Sequence, residues 1–274
     1  MEWQALFNAT LIRELELQNN PSSRLREALL YAARSPGKRL RPKFVRESGQ
    51  RFGLPDSTID LCGIAIESVH LFSLIHDDLP ALDDDDLRRG LPTLHKKFDE
   101  GTALLAGDEL LNLAYSFFLK IKNGVSSENL LTALHYFSKC IGGEGMIGGQ
   151  MLELELLHSG TTPDLPTLLK IQDMKTGALF RASILIPALI AGESESSGIF
   201  QTLESYANSF GFAFQIADDL EDEYQDEEEA RKNILSLMGR DAAIRMAVDG
   251  LELQKIAGEF TPTGFLLSKL QSKI

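Results

Sequence analysis

VHLFSLIHDDLPALDDDDLRRG, residues 69–90, bears on both the fold and the chemistry. Its first residues continue a pattern of apolar side chains three and four apart: Ile64, Val69, Leu71, Phe72 and Ile75. That is the spacing of a helix with a buried face. Six carboxylates then fall within ten residues: Asp77, Asp78, Asp83, Asp84, Asp85 and Asp86. The C-terminal end of a helix carries the negative pole of the macrodipole, so acids are disfavoured there. Local conflicts of this kind are expected at functional sites. Charges this dense need a cation, and hard oxygen donors suit Mg2+, held by one or two carboxylates together with substrate phosphates. Most charge runs are solvated faces. Arg88-Arg89-Gly90 follows directly, however, and guanidinium beside metal-binding carboxylate makes a diphosphate clamp.

A second cluster reads Phe214-Gln215-Ile216-Ala217-Asp218-Asp219-Leu220-Glu221-Asp222. Asp218 and Asp222 are four apart and share a helix face. This cluster too closes an apolar helical run, Phe210 to Ile216. One such motif is weak; two, each at the end of an apolar helix, reinforce each other. A basic stretch, Gly37-Lys38-Arg39-Leu40-Arg41-Pro42, reads as a phosphate pocket bracketed by Gly and Pro. Lys175-Thr176-Gly177 adds an ammonium and a hydroxyl.

The chain has 274 residues, of which 43% are hydrophobic and 24% charged. That composition excludes a disordered tail, a collagen-like rod and a disulfide scaffold. Forty acids face 27 Lys and Arg, a net charge of −13, which argues against a broad basic face for nucleic acid. Residues 77–86 and 218–229 hold 15 of those acids and no Lys or Arg, so the remaining 25 face 27 bases. The chain is near neutral apart from two acidic patches, and a bound cation inverts the local sign of each. Cys62 and Cys140 sit among apolar neighbours and read as buried thiols. Met1-Glu2-Trp3-Gln4 has an acid where a signal peptide has a basic n-region. The longest strictly apolar stretch, Ile184 to Ala191, is too short to span a bilayer. No membrane span is expected, and a cytoplasmic location is.

Helix signals dominate. Breakers such as Asn20-Pro21, Ser35-Pro36-Gly37, Gly90-Leu91-Pro92 and Thr261-Pro262 cut the chain into about ten segments. Pro163-Asp164 places a capping acid before an apolar pattern, as does Pro55-Asp56. Pro187 lies inside a helical run and should kink it. No Asn-Gly or Asp-Gly stands between alternating runs, so a sheet has little support. One all-α domain over residues 1–274 is the expectation.

Together these elements resemble the trans-polyprenyl diphosphate synthases, of the bacterial short-chain, farnesyl diphosphate synthase-like type. The basic stretch at 37–42, the acidic region from Ser73 to Ala114, Gly148-Gly149-Gln150, Lys175-Thr176-Gly177 and Gln215 with its DDxxD occur in the family's order. The resemblance implies an all-α, single-domain isoprenoid-synthase helical bundle around a central cavity, usually as a homodimer. It implies Mg2+, two or three ions per site, on Asp77, Asp78 and Asp83, with Asp218 and Asp222. It implies that Arg88, Lys175 and Gln215 meet the allylic diphosphate and that Thr176 faces the developing allylic cation. Gly37, Lys38, Arg41, His70 and Arg89 would form the isopentenyl diphosphate pocket. His70 precedes Asp77 by two helical turns, which fits one face. The product expected is farnesyl diphosphate: Ser73, four residues before Asp77, would point into the chain tunnel, and Phe72, five before, would limit its depth.

The sequence departs from the family after Asp222, where the loop is shortened and strongly acidic and Arg231 or Lys232 stands for the expected lysine. The alternatives are a geranylgeranyl diphosphate synthase or a catalytically impaired homologue that binds prenyl diphosphate. A terpene cyclase would leave the Lys38/Arg41 pocket unexplained, and neither acidic cluster has the spacing of an EF-hand loop.

Overall fold

The structure is a computed structural model that describes residues 2–122, 124–222, 233–254 and 256–273. It is 76% helical with almost no strand, so the chain is all-α as expected. The helices fall into two compact units, residues 1–46 with 55–124, and residues 47–54 with 125–274.

The first unit contains α1 (Glu2–Glu16), α2 (Ser23–Arg34), residues 40–46 of α3 (Leu40–Arg51), α4 (Asp56–Asp77), α5 (Leu94–Lys97) and α6 (Glu100–Leu119). α4 buries Ile59, Cys62, Ile64, Ala65, Ile66, Val69, Leu71, Phe72 and Ile75, covering its whole circumference. A helix apolar all round belongs at the centre of a core. α4 is long and apolar enough to cross a bilayer, but 72% of its most apolar window is buried within the fold. α6 packs along it. Where they meet, Gly107 leaves room for an imidazole: a Cβ there would lie 2.2 Å from His76 Nε2.

A short hairpin, β1 (Leu87–Arg88) with β2 (Leu91–Pro92), joins α4 to α5. Its turn is Arg89-Gly90, with φ of 55° and 77°. Two positive φ values are what a two-residue type I′ turn requires. No Asn-Gly marks this turn, because an arginine occupies its first position, at a cost of about 1–2 kcal/mol.

The second unit contains the rest of α3, then α7 (Ser127–Ile141), α8 (Met146–Ser159), α9 (Leu165–Gln172), α10 (Ala178–Ile190), α11 (Gly198–Asp222), α12 (Ile234–Met238), α13 (Arg240–Glu252) and α14 (Thr261–Gln271). Asp164 caps α9, its carboxylate accepting from Thr167 N at 3.0 Å, as the sequence predicted. Pro55 begins α4 without a side-chain cap bond. α10 continues past Pro187 and ends at Ile190. Every residue of α10 except Arg181 is buried. Phe180 packs on Phe210 and Phe214 of α11, with ring centroids 5.1 and 4.9 Å apart. Between α9 and α10 the backbone widens into one π-turn, Asp173–Gly177. Such turns are rare and are frequently found at functional sites.

Candidate active site

In the first unit, α4 delivers Asp77 and Asp78 at its C-terminal end, and the chain then doubles back. Asp83 N donates to Asp77 O at 2.9 Å, returning the third aspartate to the helix end. Asp84, in the same turn, has a φ of 50°. The carboxylate of Asp78, 5% exposed, takes two bonds from Arg88, from Nε at 2.8 Å and Nη2 at 2.5 Å. Arg88 Nη2 also reaches Asp85 at 2.7 Å. Burial raises the Asp78 pKa above the ordinary carboxylate value, and Arg88 opposes that rise. For Arg88, burial works against the charge, but Asp78, Asp85 and Asp77 more than compensate and hold its pKa above the usual value. Asp78 and Arg88, expected at metal and at diphosphate, are bonded to each other in this structure.

The basic stretch divides by function. Arg39 is buried, its side chain 2% exposed, and paired with Glu67 of α4 at 2.5 Å. It also donates to Asn8 Oδ1 at 2.9 Å and to Ala33 O at 2.7 Å. Those bonds hold Arg39 at a φ of 49° and make it structural. Arg41 and Arg89 instead converge on His70: Arg41 Nη1 lies 3.4 Å and Arg89 Nη2 3.5 Å from His70 Nε2. Burial, with Arg41 and Arg89 next in weight, pushes the His70 pKa well below its ordinary value. The ring is therefore neutral at pH 7. Arg89 Nη1 donates to Pro36 O at 2.6 Å. Gly37 makes that approach possible, since a Cβ there would sit 2.6 Å from Arg89 Nη1. Lys38, beside it, is exposed. Gly37, Lys38, Arg41, His70 and Arg89 all lie in the first unit, and Gly37, Arg41, His70 and Arg89 are in contact there.

Phe72 is buried in α4 and meets His76 edge to face at 4.7 Å. Ser73 Oγ donates to its own helix, to His70 O at 2.9 Å.

In the second unit the π-turn presents Lys175 and Thr176, both half-buried. Lys175 Nζ pairs with Glu153 of α8. The Gly148-Gly149 pair acquires a role: a Cβ on Gly149 would lie 2.4 Å from Lys175 N, so only glycine lets α8 lie against the turn. On the opposite side Gly211 of α11 abuts Gly177, where a Cβ would meet Gly177 Cα at 3.1 Å. A cavity of about 170 Å³ is lined by Leu169, Asp173, Gly177, Asn208, Phe212 and Gln215, among others. Gln215 Nε2 donates to Asp219 Oδ1 at 2.7 Å, and Ile234 N donates to Asp219 Oδ2 at 3.0 Å. Asp219 is therefore the buried bracket of this region, and Asp218 beside it is half-buried. The side chain of Asp222, and Arg231 and Lys232, lie outside the described residues.

The residues suit a hard divalent cation. Among the described residues no three His, Cys, Asp or Glu side chains already form a metal cage. Mg2+ needs no such cage, because it keeps waters and takes one or two carboxylates plus phosphate oxygens. In the first unit Asp77 and Asp83 offer oxygen donors of that kind on a folded-back loop. In the second unit Asp218, near the end of α11, offers another.

Sequence reasoning passed over Glu67, Glu153, Asp173, Arg181 and Asp219. Of these, Asp219 was the most accessible, being four residues after Gln215 on one helix.

The chain is similar to known proteins by sequence and by fold. The sequence profile of the Polyprenyl synthetase family matches residues 22–242. The chain is 43% identical over 212 residues to a farnesyl diphosphate synthase of Escherichia coli (strain K12), covering 77% of this chain and 69% of that one. It is 39% identical over 231 residues to a farnesyl diphosphate synthase of Haemophilus influenzae, covering 84% and 77%. A geranyltransferase structure from Legionella pneumophila superposes with a TM-score of 0.86 at 31% identity, covering 100% of this chain and 96% of that one. Motifs, helical architecture and similarity over most of the chain coincide: the protein belongs to the polyprenyl synthetase family.

Proposed function

We propose that the chain condenses isopentenyl diphosphate with dimethylallyl and geranyl diphosphates to give farnesyl diphosphate. The observation that carries this reading is the Arg41–His70–Arg89 cluster. Two guanidinium groups converge within 3.5 Å of one imidazole whose pKa burial holds far down. Such a cluster is costly unless an anion completes it, and planar guanidinium forks match phosphate oxygens. In a chain of net charge −13 it is a local anion site.

Arg41, His70, Arg89 and Lys38 would hold the diphosphate of isopentenyl diphosphate. Arg88, Lys175 and Gln215 would face the allylic diphosphate and stabilise the charge that develops as it leaves. The allylic C–O bond breaks, with its electron pair going to the diphosphate. The alkene of isopentenyl diphosphate then attacks C1, and a proton departs to the released diphosphate. Thr176 would lie against the allylic cation, which apolar walls must keep from water. Mg2+, once held by Asp77, Asp78, Asp83, Asp218 and Asp222, would supply Lewis acidity and a template for the leaving group. Lys232 would add a cation from the shortened loop. We infer a cytoplasmic enzyme acting as a homodimer, for which the exposed leucines of α6, Leu104 and Leu105, offer apolar surface; sedimentation at equilibrium would test the latter.

Calorimetric titration with isopentenyl diphosphate tests the anion site. The wild-type chain should bind it, and Arg89→Met should weaken binding about tenfold or more, about 1.4 kcal/mol. Equal binding by both proteins would remove the cluster from the account.

A further inference from the structure

The start of the π-turn that carries Lys175 and Thr176 is bonded to the guanidinium of Arg181. Ala178 N donates to Asp173 O, five residues back, which defines the turn. Arg181 Nη2 donates to the same Asp173 oxygen at 3.3 Å, and its Nη1 binds the Asp173 carboxylate. Nη1 also donates to Asn208 Oδ1 on α11 at 3.1 Å. The Arg181 side chain is 15% exposed. Burial alone would lower its pKa, but the bonds to Asp173 outweigh that and raise it. Asp173 and Asn208, both bonded to Arg181, line the cavity of about 170 Å³ together with Gly177.

A turn widened by one residue replaces regular i→i−4 bonds with i→i−5 ones, and such turns are rare. α8 and α11 support this one by close packing at Gly149 and Gly211. Arg181 supports it by charge, joining the start of the turn to α11 through three acceptors. A planar fork reaches these acceptors from two nitrogens in a fixed geometry, whereas an ammonium presents its donors from one nitrogen.

We propose that Arg181 is a positioning residue: through Asp173 and Asn208 it fixes the register of the Asp173–Gly177 turn and hence where Lys175 and Thr176 meet the allylic substrate. The proposal deepens the functional reading above and rests on it for the roles of Lys175 and Thr176. Misplacement of a reacting group by about 1 Å can cost about 100-fold in rate.

The test compares wild type, Arg181→Met, Arg181→Lys, Asp173→Asn and the Arg181→Met/Asp173→Asn double variant. Amide hydrogen exchange is followed by residue, and kcat and KM are measured with geranyl and isopentenyl diphosphates. In Arg181→Met, exchange at residues 174–178 should accelerate about tenfold or more, while residues 184–190 exchange as in wild type. Its kcat should fall about 10- to 100-fold, with the KM for isopentenyl diphosphate within about twofold of wild type. Arg181→Lys should fall between, and the double variant should be no worse than Arg181→Met. Unchanged exchange at 174–178, acceleration spread evenly through α10 and α11, or unchanged kcat would each overturn the proposal. If the wild-type chain makes no product, the functional reading fails, and the exchange pattern still decides whether Arg181 holds the turn.

Discussion

His70 shows how one residue is set by its neighbours. Arg41 and Arg89 stand 3.4 and 3.5 Å from its Nε2, and its pKa lies well below the ordinary 6.5, first through burial and then through those charges. The sign of the pH effect follows. The unfolded chain takes up a proton at His70 below about pH 6.5 and the folded chain does not, so stability is lost as pH falls through that range. His70→Gln should flatten the acid limb below about pH 6.5, by at most about 1.4 kcal/mol per pH unit, in urea unfolding curves taken at a series of pH values. Identical limbs would show that His70 carries no such burden. Phe72 makes a second prediction at this scale. Phe72→Ala should lengthen the product beyond C15 when products are sized by mass spectrometry, and an unchanged length would assign Phe72 to α4–α6 packing through His76. The chemistry of such residues was legible in the sequence, because carboxylates, guanidiniums and an imidazole at helical spacing define what they can bind. Their pairings were not: nothing in the order of residues separates Arg39, tied to Glu67, from Arg41, two positions on.

At the scale of elements, the helices could be read from apolar spacing and breakers, and the second acidic cluster was correctly placed at the end of a long helix, α11. The π-turn could not. It inserts a residue into the helical period, so Asp173 and Arg181, eight apart, come onto one face, where an ideal helix would set them about 80° apart at 100° per residue. Any pattern search at a fixed period of 3.6 misses that pair. The glycines beside the turn, by contrast, were noticed as a motif but had no assigned purpose until the backbone of α8 was seen against Lys175. Gly149→Ala is the corresponding prediction. Its Cβ would sit 2.4 Å from Lys175 N, a clash with backbone that no rotamer relieves. The expected cost is about 1–3 kcal/mol in urea unfolding, the range for overpacked sites. It should be accompanied by a fall in kcat, and wild-type stability with wild-type turnover would contradict the packing described here. The hairpin at Arg88-Arg89-Gly90 was missed for the opposite reason: its turn places an arginine where asparagine or aspartate would signal it, which turns Arg89 back toward His70.

For the whole molecule, net charge is the property that misleads most. A value of −13 argues against anionic substrates until its distribution is seen, with 15 of 40 acids in two short segments of the sequence, 77–86 and 218–229. Those segments belong to different compact units, and each brings its own cations: Arg88 binds Asp78 in one, and Lys269 reaches Glu221 at 2.7 Å in the other. The family was legible because several motifs, each weak alone, occur in order over most of the chain. The measurement closest to the central claim is a defined incubation of the folded protein with geranyl diphosphate, isopentenyl diphosphate and Mg2+, read by mass spectrometry. The account predicts a C15 prenyl diphosphate, one inorganic diphosphate released per condensation, and loss of both on chelation with EDTA. No prenyl diphosphate product, or geraniol or a cyclic terpene formed while isopentenyl diphosphate remains unconsumed, would contradict it.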